Sequence, residues 1–227
     1  MASSIELLDR NRWIAAAGLI FVGLVIVAIA IGTAPEAETS DDTILDYYED
    51  SGNQAKQIAA ALLMTIGLTA LLCFVTGLRL LLVEAGAPQP LPDLAFVGGL
   101  AYVLLALVGI AIGTAVPATL VFSDTFELAP DTARIVLTIG NIWLLSFAGA
   151  TGSLLVGATS LASRRANLLP AWLEWAGLVA SPLILLSLPL FGIASIAVVV
   201  WVLALSVVLL FSGRRKRSGE GALRATN

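Results

Sequence analysis

The chain has 227 residues, of which 59% are hydrophobic and 12% charged, with a mean hydropathy of +0.97 and a formal net charge of −4. Soluble domains carry roughly 25% charged residues, so this composition excludes an ordinary water-soluble globule and is that of an integral membrane protein. With no histidine and a single cysteine, Cys73, it also excludes His-ligated haem, His-based zinc sites, Ser-His dyads and intrachain disulfides.

Apolar runs, uncharged but for Glu174, fall at 13–33, 57–78, 95–122, 135–162, 172–187 and 193–212. Each approaches or exceeds the ~20 residues that cross a hydrocarbon core, and none alternates with the period of two that a barrel strand shows. The expectation is an all-α, polytopic transmembrane helical bundle of six spans, one domain over 1–212, followed by a basic, disordered tail over 213–227. The first run outlasts the apolar core of a signal peptide, about 7–15 residues, and reads as an uncleaved signal anchor.

Between the first two runs lies DDTILDYYEDSGNQAKQ, residues 41–57. Ile44, Leu45 and Tyr48 share one side of a helix and the acids Asp42, Asp46, Glu49 and Asp50 surround it, with Gly52 as a suitable stop. This predicts a short interfacial helix, an acidic cap over the bundle. A calcium loop fails on register, because aligning Gly52 to the conserved glycine puts Ile58 where a bidentate Glu belongs.

In the second run, Thr65 and Thr69 lie one helical turn apart. Arg79, near its end, either snorkels to the interface or pairs with Asp93 or Glu174. The connection AGAPQPLPD reads as a stiff extended loop. The third run carries Gly109 and Gly113, then Thr114 and Pro117.

The fourth run is the richest in small and polar residues. Gly149, Ser153 and Gly157 recur every four positions, a face that lets another backbone approach, either within the bundle together with Gly109 and Gly113 or across a homodimer. Asn141 lies about two turns inside this run, where its amide needs partners. Thr114 and Thr65 match its depth. Either they form an interhelical hydrogen bond, or Asn141, Thr114, Thr65 and Thr69 line an outward-facing polar pocket.

The fifth run begins in NLLPAWLEWAGLVASPLILL, where Pro170 suits a first helical turn, Trp172 and Trp175 anchor at the interface, and Glu174 is placed to pair with Arg165. A turn near 188–192 separates it from the sixth. The pattern carried by Leu169, Pro170, Trp172, Leu173, Trp175 and Gly177 resembles the later part of a group of uncharacterised bacterial and archaeal multipass membrane proteins of about this size. The doubled glycine at 98–99 and Trp143 fit the same group, and the resemblance covers most of the chain. It implies a bundle of six or seven spans with no assigned activity, so no catalytic residue is carried over.

Ten of the twelve Lys and Arg residues, among them Arg10, Arg12, Arg79, Arg164, Arg165 and the 214–217 cluster, fall on one side of this arrangement; Lys56 and Arg134 are the exceptions. The excess marks the cytoplasmic side and places both termini there. No span holds an intramembrane carboxylate pair or a phosphate-binding glycine loop. The expectation is a non-enzymatic protein of the plasma membrane, a structural, sensory or accessory subunit without cofactor, metal or nucleic acid. Its partners are membrane lipids and a second copy or another membrane protein. The alternative is a small-solute or lipid permease.

Overall fold

The structure is a computed structural model that describes residues 4–35, 38–123, 125–186 and 193–224. The expected turn at 188–192, Asp124 and the last three residues of the tail lie outside the described residues. Regular structure among the described residues is entirely helical. Helices α1 (Ser4–Ile31), α2 (Asp41–Glu49), α3 (Ser51–Glu84), α4 (Leu91–Gly113) and α5 (Ala115–Phe122) come first. Helix α6 (Pro130–Asn141) then runs through a π-helical turn, Ile142–Phe147, into α7 (Ala148–Ala166), followed by α8 (Ala171–Leu186) and α9 (Ile193–Arg224). Five helical stretches are long and apolar enough to cross a membrane: Asn11–Ile31, Ser51–Glu84, Leu91–Gly113, Pro130–Ala166 and Ala194–Phe211. Ala171–Leu186 is apolar but shorter.

Helices α1, α3, α4, α7 and α9 pack in a closed ring in that order, and α8 lies outside it against α7 and α9. Phe21, Leu71, Phe74, Val103, Leu155 and Leu205 are fully buried within this ring. Glycines set its tightest contacts. A side chain on Gly98 would strike the Leu155 amide nitrogen at 2.6 Å, and one on Gly149 would meet Ala194 at 2.5 Å. The small face of α7 is thus spent within the chain, with Gly149 on α9 and Gly157 on Ser181 of α8. Ser153 belongs to the same packing, its carbonyl accepting from Ser181 Oγ at 2.9 Å.

Several expected boundaries move. The third apolar run is two helices rather than one, because Pro117 has no N–H for the Gly113 carbonyl and its ring crowds that carbonyl. Thr114, at φ −94° and ψ 0°, is the break, and α5 turns away to pack on α3. Gly52 stops nothing. Asp50 is the boundary, capping α3 by accepting from the amides of Gly52 at 2.6 Å and Asn53 at 3.1 Å. The basic tail does not end the helix at 212, since α9 continues to Arg224. Arg, Lys, Glu, Ala and Leu are good helix formers, and extending an existing helix needs no new nucleus.

The acidic stretch forms α2 as expected, with Asp41 and Asp42 in its first turn, where they complement the helix dipole. Ile44 and Tyr48 are buried against Val116 of α5 and Ala133 of α6, a small second core. Arg134 ties this cap down through Asp41 at 2.6 Å, the Thr39 carbonyl at 2.7 Å and Asp131 at 3.2 Å.

Candidate functional site

Inside the ring, at the end bearing α2, lie two adjoining cavities of about 400 Å³ and 290 Å³. They share Ile29, Met64, Ile110, Leu144, Leu145 and Ile196 as common walls, a two-part space. Its upper part is rimmed by Thr33, Gln57, Thr114 and Asn141 and by the backbone at Gly109 and Gly113. Its lower part is apolar, lined by residues such as Phe21, Val25, Leu68 and Val199, and among the described residues its polar side chains are Tyr102 and Ser195. Helices α1 and α9 touch where Gly18 meets Ser206. Toward the α2 end, Ile26 and Ile29 of α1 and Ile196 and Val200 of α9 are all more than half exposed, so the space opens sideways between these helices.

The π-helical turn shapes one wall. Widening a helix by one residue frees backbone carbonyls, and Ser195 of α9 donates to two of them, Leu144 O at 2.8 Å and Leu145 O at 3.1 Å. Gly109 makes room opposite, because a side chain there would lie 2.6 Å from the Leu144 amide nitrogen. Above the space sits α2. Tyr47 donates its hydroxyl to the Thr33 carbonyl at 2.7 Å and accepts from Gln57 Nε2 at 3.3 Å, so one residue of the cap touches two residues of the rim.

The expected polar pocket is assembled in part. Thr114 and Asn141 share the upper cavity, Asn141 exposed to it with no hydrogen bond to Thr114 or Thr65. Thr65 and Thr69 line neither cavity: both are exposed on the outside of α3, and their hydroxyls donate back to Ala61 O at 2.8 Å and Thr65 O at 3.0 Å. Spacing put the two threonines on one side of α3, but a helix apolar all round does not declare which side turns inward. Gln57, Tyr47, Tyr102 and Ser195 were the residues to add. Only Gln57 carried a signal, as an amide at the first position of an apolar run.

At the opposite end, Arg79 pairs with Asp93, with both Nη2 and Nε 2.7 Å from Oδ1, and its guanidinium lies 5.8 Å from the Phe96 ring. Trp172 and Trp175 are exposed, and Arg164 stacks over Trp175 at 4.1 Å, a cation–π contact. Arg165 is exposed. Glu174 joins neither Arg165 nor Arg79; it is buried, with Oε1 lacking a partner. The reason is helix rotation, since Leu173, Glu174, Gly177 and Ile184 form the inward side of α8 and the two tryptophans the outward side. Among the described residues no group of three or more His, Cys, Asp or Glu could hold a metal ion.

No protein-family model, curated protein or solved structure matches this chain.

Proposed function

We propose that this chain is a non-enzymatic, multi-pass protein of the plasma membrane that holds a lipid-like amphiphile, serving as a lipid permease or as the lipid-binding accessory subunit of a membrane complex. Six spans follow if Ala171–Leu186 counts as a short one, and the Lys and Arg distribution then places both termini in the cytoplasm and α2 outside. The group of multipass proteins that the 169–177 pattern resembles has the same outline. The observation that carries the reading is the pair of adjoining cavities with shared walls, apolar below, polar at the α2 end and open sideways between α1 and α9.

In a bilayer that side opening faces hydrocarbon, so an acyl or isoprenoid chain enters without crossing water, while its head reaches Gln57, Thr114 and Asn141. A polar solute gains nothing from the lower walls and would forfeit its hydration there. The combined space falls within the roughly 300–1,000 Å³ typical of ligand pockets. Amides and hydroxyls, with no charged side chain among the described lining residues, favour a neutral, hydrogen-bonding head. Native mass spectrometry of the full chain released from nanodiscs tests this. The wild type should retain one amphiphile per chain, and Val25→Phe, which fills the lower cavity, should lose it. A bare wild type, or equal retention by the variant, would refute the reading.

A further inference from the structure

A second cluster, outside the cavity, joins α7, α8 and α9 near the Trp172 end. Ser160 and Ser163 of α7, Glu174 of α8 and Trp201 of α9 are all at least nine-tenths buried, at 1%, 0%, 7% and 5% exposure. Each presents a buried polar atom without a hydrogen-bond partner: Oγ, Oγ, Oε1 and Nε1. Ser160 and Trp201 meet because α8 carries Gly177 at the crossing. A side chain there would overlap Ser160 Oγ and come within 2.8 Å of Trp201 Nε1. Helices α7 and α8 are antiparallel, with Gly157 beside Ser181 and Ser160 beside Gly177. One turn further on, the same register sets Ser163 level with Glu174.

We infer that Glu174, Ser160 and Ser163 form a binding site for a single monovalent alkali cation. The buried carboxylate calls for a positive partner, since an uncompensated charge away from water is costly. No ion pair of the described residues supplies one; of the two bases on α7, Arg164 is committed to Trp175 and Arg165 is exposed. The available ligands are hard oxygens, which suit alkali and alkaline-earth ions rather than soft metals. A single carboxylate matches a single positive charge, and the absence of any acidic group of three among the described residues argues against a divalent ion. The Trp201 N–H is a donor only and so stands beside the cation rather than ligating it.

Thermal unfolding of the full chain in nanodiscs, followed by tryptophan fluorescence, tests the site in sodium, potassium and N-methylglucamine chlorides at equal ionic strength. Sodium or potassium should stabilise the wild type saturably. Glu174→Gln should raise the concentration needed by about ten- to a hundredfold, as expected for loss of a charge-assisted contact. Should Glu174→Gln fail to fold, Ser160→Ala and Ser163→Ala carry the same test, each shifting the midpoint in the same direction. Equal stability in all three salts overturns the site, as does a saturable response that Glu174→Gln and both serine variants retain. Stabilisation that appears only on acidification, whatever the salt, assigns the carboxyl a proton and also overturns the alkali-cation assignment.

Discussion

Gly109 and Gly113 occupy equivalent places in a four-residue small pattern, yet the fold uses them differently. A methyl group on Gly109 would meet the Leu144 nitrogen at 2.6 Å and the Gly140 oxygen at 2.8 Å, both backbone atoms that no rotamer change can clear. A methyl group on Gly113 meets nothing within 4 Å. Replacing Gly by Ala within a helix is worth about 1 kcal/mol in propensity, and forcing a methyl into a tight contact costs about 1–3 kcal/mol. The propensity gain applies to both variants and cancels in their difference. Gly109→Ala should therefore be less stable than Gly113→Ala by the clash alone, about 1–3 kcal/mol. Reversible unfolding in mixed micelles of increasing denaturing-detergent fraction measures this difference. If Gly113→Ala proves as unstable as Gly109→Ala, the close approach of α4 to the π-helical turn is refuted.

Ser195→Ala removes the donor to Leu144 O and Leu145 O and should cost about 0.6–2 kcal/mol in the same unfolding assay, as for other interhelical hydrogen bonds in membranes. Asn141→Leu breaks no hydrogen bond to Thr114 or Thr65, so stability should stay within about 0.5 kcal/mol, while retention of the amphiphile's polar head, read by native mass spectrometry, should fall. Burial pushes the Tyr48 phenol above its ordinary value of 10.0, with the Gln57 amide opposing it. The unfolded chain then loses this proton before the folded one does. The cap is fully held below about pH 10 and loosens as pH rises through the raised folded value, so hydrogen exchange over 41–49 should speed up in that window.

The apolar runs were legible because a span admits so few charges, and the acidic cap because Ile44 and Tyr48 repeat at helical spacing. Pro117 was visible as a helix breaker, but reading the break needed its partner carbonyl at Gly113 to be considered. The π-helical turn was hidden, since what supports it, Ser195, lies some fifty residues away in sequence. Glu174 illustrates the same limit. Its neighbours Trp172 and Trp175 marked an interface, but a 100° step per residue turns the acid inward while they face out. Which side of α3 faces the bundle was undecidable from a helix apolar all round, and so Thr65 and Thr69 were grouped with Asn141 although they point away from it.

The cavity is tested most directly by a phospholipid carrying a photoreactive diazirine on its acyl chain, crosslinked in nanodiscs and mapped by peptide mass spectrometry. Occupancy of the two-part space requires labelling of inward residues such as Leu144, Leu145 and Val199, reduced in Val25→Phe. Labelling confined to outward-facing positions such as Ile66, Val97 and Leu183, and unchanged in that variant, would contradict it.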